Sequence, residues 1–301
     1  MTSGGEPLGS SGAELGFGTT AFGPLSKQQA VRLLDVAYEA GIRHFDCARM
    51  YDFGRAEGVL GTMARGKRSD MVIVSKAGIE PPPLWGRALA RVAPGIRPLA
   101  RLGDPRSGRF SPAAVEASVG TSLAELGTDY LDALLLHEIE PGQMSDELAS
   151  LLTALKRQGR VRATGLATSA ENTLALQRAY GGLFEIVQIP AASLIHTDIT
   201  AFTPARVILH SVVGAHLSAA FDQIDADFAA KHGLSVRPLH AEETRRRLAE
   251  LLLRTALTRN PGGVVLFAST NEAHIRLNSG LSGAEESVVR EVEQLIRRAA
   301  G

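Results

Sequence analysis

Four polar residues close, or stand just beyond, apolar runs of this chain. Asp46 ends IRHFD, Tyr51 follows it five residues later, Lys76 ends VIVSK and His137 ends LDALLLH. A carboxylate at the end of a buried strand must be solvated or paired with a cation. Lys76 supplies that cation, and Asp46 in turn keeps the lysine charged. An ammonium beside a phenol favours phenolate and lowers the tyrosine pKa. The expected result is a phenol tuned to donate a proton near neutral pH, with His137 placed to hold or polarise a substrate oxygen. Singly, a strand-end Asp or Lys is usually half of a structural salt bridge, a buried His a core hydrogen-bonder and a loop Tyr a packing residue. The four together are much more specific than any member.

Such a set needs a frame that brings consecutive strand ends to one rim. Eight β-rich runs recur: 15–20, 42–48, 71–77, 130–137, 161–167, 184–190, 205–212 and 263–269. Helical spacing separates most of them. SKQQAVRLLDVAYEAG repeats apolar residues at Val31, Leu34 and Ala37 and stops at Gly41. A second helix opens with Ser111-Pro112, a cap followed by a first-turn proline, and stops at Gly127. Strands alternating with helices imply parallel pairing and right-handed crossovers, and eight such units predict a (β/α)8 TIM barrel. Neighbouring strand ends then lie about 4.8 Å apart. Residues 1–13 read as a Gly/Ser-rich flexible leader and 14–301 as a single barrel domain.

Two connections depart from the pattern. Between the sixth and seventh strands too few residues remain for a full helix, so that helix is expected to be short or missing. From Gly78 to Phe110 the chain is far longer than an ordinary βα loop. It follows the third strand, which puts it on the face where barrels keep their active sites, as a long lid. Trp85 and six arginines between Arg87 and Arg109 make the lid a candidate substrate contact with a basic entrance. The final segment, AEESVVREVEQLIRRAA, is an additional C-terminal helix.

Composition narrows the function classes. The chain has 301 residues, 45% of them apolar, and 32 basic against 32 acidic residues. No net field favours nucleic acid or an anionic membrane. The only cysteine, Cys47, excludes an internal disulfide and suggests a reducing compartment. No apolar run approaches the roughly 18 residues of a membrane span, and a soluble, cytoplasmic protein is expected. Metal-ligand spacing, a glycine-rich phosphate loop and a Gly-x-Ser-x-Gly elbow are not found. The sequence does not specify an oligomeric state.

The run FDCARMYDFGRAEGVLG resembles the Asp-x-Ala-x-x-Tyr signature of aldo-keto reductases, including Gly54, Glu57 and Leu60-Gly61. The resemblance continues through LGFGTTAFG, VSKAG, LGTDYLDALLLH, LKRQGRVRATGLATS and VQIP, over roughly residues 14–280. It implies that Tyr51 is the general acid, that Lys76 and Asp46 tune it and that His137 orients the carbonyl. It also implies a nicotinamide cofactor, NADPH in most members, with NADH not excluded, and a small-molecule carbonyl substrate.

The cofactor positions follow from the same resemblance. Gly18 and Thr19 fit the first-strand turn, Asp46 lies beside it, and Gln188 fits a carboxamide-binding glutamine. Thr168 replaces an asparagine, and His210 replaces an aromatic residue that stacks on the nicotinamide. Ser211 matches the serine that follows, before Val212 and Val213, which replace a proline and a leucine. Ser269, His274 and Asn278 fall in the segment that holds the adenosine phosphate, but Ala268 and His274 stand where many members carry basic residues. The helix N-terminus there is expected to help hold the phosphate. The expected function is carbonyl reduction. The alternative is a nicotinamide-binding sensor or regulatory subunit on the same fold with little turnover.

Overall fold

A computed structural model of the chain describes residues 13–81, 109–214, 220–234 and 241–300. Eight strands hydrogen-bond in chain order and close into a barrel. They are β1 (Glu14–Gly18), β2 (His44–Asp46), β3 (Val72–Ala77), β4 (Leu131–His137), β5 (Val161–Ala167), β6 (Ile186–Pro190), β7 (Arg206–His210) and β8 (Val264–Phe267). Every sequence-predicted strand overlaps one of them, with ends within two residues of those expected. The protein is a (β/α)8 barrel. Among the described residues, no helix is long and apolar enough to cross a membrane.

Two compact units can be distinguished. The larger comprises Gly16–Ile189 with Ala268–Ser279. Its helices are α1 (Lys27–Glu39), α2 (Ala56–Ala64), α3 (Pro112–Leu126), α4 (Asp146–Arg157), α5 (Ala170–Tyr180) and, after β8, α8 (Glu272–Ser279). Local chemistry sets their ends. Ser26 and Gln29 form a reciprocal capping box at α1. Ser111 caps α3 ahead of Pro112, and Gly127 ends that helix in the left-handed conformation, as the sequence predicts. The buried face of α1 differs from the expected one: Ala30, Leu33, Leu34, Val36 and Ala37 are buried, while Val31 is half-exposed. A helix packed on a barrel wall buries a broad stripe, and a three-residue periodicity does not locate its centre. β4 is buried along its whole length, as a parallel strand covered on both faces must be. α2 approaches α3 so closely that a Cβ on Gly61 would lie 2.6 Å from the Glu125 carbonyl oxygen.

The smaller unit comprises Met1–Leu15, Pro190–Phe267 and Gly280–Gly301. Its described helices are α6 (Ala226–His232), α7 (Ala241–Arg259) and α9 (Glu286–Ala300), the predicted additional C-terminal helix. α9 buries Val289, Val292 and Leu295 along one stripe. Between β6 and β7 there are only two short 3-10 turns, Ala191–Ile195 and Ile199–Phe202. The expected crossover helix is indeed missing. The predicted lid lies largely outside the described residues, as does Trp85.

Candidate active site

The site is built in the larger unit from adjacent strand ends. β2 pairs with β3 and β3 with β4, all parallel, which carries Asp46, Lys76 and His137 to one rim. Lys76 Nζ donates to Asp46 Oδ1 at 2.6 Å and to the Cys47 carbonyl at 3.0 Å. Both side chains of the pair are buried. The same ammonium lies 4.7 Å from the centre of the Tyr51 ring. The Tyr51 and His137 rings meet edge to face, with centroids 5.9 Å apart at 87°. All four sequence-predicted residues therefore come together.

Electrostatics corrects one expectation. Burial alone pulls the Lys76 ammonium down, but the Asp46 charge, the tyrosine and the Asp46 hydrogen bond more than offset this, and its pKa stands above the ordinary lysine value. The Tyr51 phenol, expected to be lowered, is raised instead. Burial pushes it up further than the Lys76 charge pulls it down, and Asp46 adds to the rise. Tyr51 thus holds its proton throughout the neutral range, beside a permanent cation. Cys47 is fully buried, and burial pushes its thiol well up. That matches a packed strand cysteine rather than a reactive one.

The loop that carries Tyr51 is strained and clamped. Asp52 and Phe53 both adopt the left-handed region, at φ 50° and 55°, followed by Gly54 at 82°. Non-glycine residues in that region cost on the order of 1 kcal/mol each. The buried Asp52 carboxylate accepts from Arg55 at 2.8 Å, and Arg55 also donates to the Leu25 carbonyl at 3.3 Å. Behind the loop, Glu57 accepts from Ser75 at 2.6 Å and from Arg49 at 2.9 Å. Sequence reasoning missed Arg49, Asp52 and Arg55. For Asp52 and Arg55 a signal was present, since an arginine three residues after an aspartate next to a tyrosine suggests a clamp.

Other expected cofactor positions are less uniform. Gly18 ends β1 and is buried. Thr19 is fully buried, and its hydroxyl and amide both donate to the Asp46 carbonyl, at 3.1 and 3.0 Å. It holds the strand end in place. Across the β4–β5–β6 register, His137 pairs with Ala167 and Ala167 with Gln188. Gln188 is buried, and its Oε1 has no hydrogen-bond partner among the described residues. Thr168 accepts from Asn172 Nδ2 at 3.4 Å, which leaves its own hydroxyl proton to donate. A buried amide without a full set of partners, next to a hydroxyl with a proton to give, fits a ligand carboxamide.

At the start of α8, Asn271 Oδ1 accepts from the Ala273 and His274 amides, at 2.8 and 3.4 Å, and Ser269 Oγ accepts from the Asn271 amide at 3.1 Å. The helix N-terminus expected to hold a phosphate is therefore already capped, because asparagine satisfies those donors itself. His274 and Asn278 are half-exposed on α8, and Arg276 pairs with Glu39 of α1 at 3.3 Å. In the smaller unit, His210 Nδ1 lies 2.9 Å from Ser211 Oγ, and Ser211 has a left-handed backbone at φ 58°.

A buried ion pair, a proton-bearing phenol and an imidazole at consecutive strand ends of a parallel barrel define a site for acid–base chemistry on a small ligand. The sequence profile described as the aldo/keto reductase family matches residues 14–191, more than half of the chain, and the chain belongs to that family. It is 35% identical over 159 residues to pyridoxal 4-dehydrogenase of Microbacterium luteolum, covering 50% of this chain and 46% of that protein. It is 30% identical over 204 residues to D-threo-aldose 1-dehydrogenase of a Pseudomonas species, covering 60% and 59%. The chain spans about half the length of these curated relatives. An aldo-keto reductase from Klebsiella pneumoniae, solved in complex with NADPH, superposes with a TM-score of 0.64 at 24% identity, over 95% of this chain and 90% of that one. At that identity the likeness concerns the fold.

Proposed function

We propose that this protein reduces an aldehyde or ketone to the alcohol with NADPH, and that Tyr51 is the proton donor. The observation that carries this reading is the buried Lys76–Asp46 pair set against the Tyr51 ring, with His137 edge-on to it. When bound, the nicotinamide supplies a hydride to the carbonyl carbon. Gln188 and Thr168 would hold its carboxamide, with Gly18 and Asp46 at the neighbouring strand ends. His137 donates a hydrogen bond to the substrate oxygen and orients it. Tyr51 gives that oxygen its proton and recovers one from solvent, so each turnover consumes one proton. The fixed charge of Lys76 stabilises the phenolate formed during transfer and needs no reorganisation to do so. Its raised pKa keeps the charge in place, and the raised Tyr51 pKa keeps the transferable proton present at neutral pH.

The family resemblance and the NADPH complex of the Klebsiella relative favour NADPH. The capped α8 N-terminus and the missing arginine at Ala268 weaken selection for the 2′-phosphate, so NADH is expected to serve as a poorer donor. The closed order of the eight strands supports reading residues 14–301 as one domain. The direct test follows NADPH absorbance with 4-nitrobenzaldehyde, with wild type beside Tyr51→Phe and both repeated with NADH. Turnover that collapses in the variant supports the reading. Equal rates in both proteins would overturn it. Tight NADPH binding with no aldehyde or ketone turned over would replace it with the nicotinamide sensor.

A further inference from the structure

The missing helix between β6 and β7 has a consequence in the smaller unit. Elsewhere a crossover helix covers the outer face of a barrel strand. Here Leu209 of β7 instead faces a pocket walled by Leu194 and Ile195 of the first 3-10 turn, Leu252 and Ala256 of α7, and Ile296 of α9. Its cavity volume is about 70 Å³. A water needs about 10–15 Å³ on this measure, so the space takes a group of several heavy atoms, such as an aryl ring or a branched acyl chain.

Two polar groups interrupt the apolar lining. Thr255 is 6% exposed, and its Oγ1 has no hydrogen-bond partner among the described residues. A buried hydroxyl left unpaired is destabilising, and a bound oxygen would relieve that. The second group is Arg297, at the exposed edge of the lining. Its neighbours are already paired: Arg259 holds Glu286 and Glu293, Arg254 lies 3.6 Å from Glu250, and Arg298 binds Asp225. Arg297 has no carboxylate within 4.0 Å among the described residues. The one carboxylate in the lining, Glu293, is bound to Arg259. The pocket therefore offers an apolar slot, one inner hydroxyl and one uncompensated cation.

We propose that this pocket binds a small amphipathic carboxylic acid. The aryl or branched-acyl body occupies the slot, an oxygen substituent on the body bonds Thr255, and the carboxylate pairs with Arg297. Recognition follows the usual division, in which apolar contact gives affinity and a few placed polar groups give orientation. None of the residues invoked belongs to the catalytic set, so the site is independent of the reductase reading.

The test is titration of the ¹³C-methyl-labelled protein with 4-hydroxyphenylacetate, phenylacetate and tyramine, read at the methyls of Leu194, Ile195, Leu252 and Ile296. 4-Hydroxyphenylacetate should give saturable shifts, phenylacetate should bind more weakly, and tyramine should bind at least about tenfold more weakly than either acid, since it lacks the anion. Arg297→Gln should weaken both acids about tenfold, the scale of a lost charged hydrogen bond. Thr255→Val should abolish the difference between the two acids while leaving the melting transition in place. The proposal is overturned by an absence of shifts at these methyls at millimolar acid, by equal binding of tyramine, or by acid binding that Arg297→Gln leaves unchanged.

Discussion

Residues 16–189 and residues 190–267 differ in where they keep their ion pairs. In the first stretch, several charged groups are buried and paired. Lys76 binds Asp46, Glu57 joins Arg49 and Ser75, and Asp132 receives both Arg68 and Arg162. In the second, together with the C-terminal helix, ion pairs such as Lys231 with Glu291 and Arg259 with Glu286 sit at the surface. Buried charges require fixed geometry, because each unpaired ion costs several kcal/mol. Surface pairs tolerate drift. The family match, residues 14–191, coincides with the part where geometry is fixed. The part beyond it has two short 3-10 turns where the barrel rule expects a crossover helix.

The comparison breaks most sharply at Tyr51. Tyr51→Phe should lower kcat about 10²–10⁴-fold while the melting temperature barely moves, because the ring and its contact with His137 remain. A variant that keeps its rate would remove the first region's claim to the chemistry. Lys76→Met comes next. It leaves Asp46 buried without its cation, and urea unfolding should show a loss of about 3–5 kcal/mol together with loss of turnover. Arg55→Ala frees the Asp52 carboxylate and loosens a loop held in left-handed conformations. About 1–3 kcal/mol of stability is expected to go, with kcat falling more than KM rises, since the proton donor is displaced and ground-state binding is not. The smallest effect is Arg259→Ala, in the second region. Its pairs with Glu286 and Glu293 are about one-third to one-half exposed, and a change of no more than about 1 kcal/mol is expected. A larger loss there would erase the contrast between the regions.

Titration sharpens the same contrast. Lys76 and Tyr51 both have folded pKa values above the ordinary ones. Above roughly pH 10 the unfolded chain releases both protons while the folded chain keeps them. The folded state then binds more protons, so stability falls as pH rises through that window and is full below it. A pH series of urea midpoints should show the fall in wild type, and a shallower one in Tyr51→Phe. Reductase turnover, which needs the Tyr51 proton, should likewise persist across neutral pH and fail only in the alkaline range.

Much of the first region was legible in residue order. Apolar runs ending in Asp46, Lys76 and His137 mark strand ends, and parallel pairing by itself brings consecutive ends together. Ser111-Pro112 and Gly127 mark a helix because capping is a local interaction. The missed features are non-local. Thr19, expected at the cofactor turn, also donates to a carbonyl 27 residues away. Asn271 caps the helix N-terminus that was expected to help hold a phosphate, and the buried face of α1 takes in Leu33 and Val36 beside Leu34 and Ala37. The pocket beside Leu209 could not be anticipated, since its walls come from four separate segments.

Residue order by itself determined the eight-strand alternation, the membership of the proposed catalytic set and a sixth crossover helix that is short or missing. Each depends on periodicity, end signals or spacing along the chain. Only the tertiary structure decided the sign of the Tyr51 shift, the clamp on its loop, the pairing of Glu57 with Arg49 and the exact approach of the buried pair that the sequence anticipates. Desolvation and close approach depend on neighbours such as Lys76 and Asp46, which lie 30 residues apart in the chain and 2.6 Å apart in the fold.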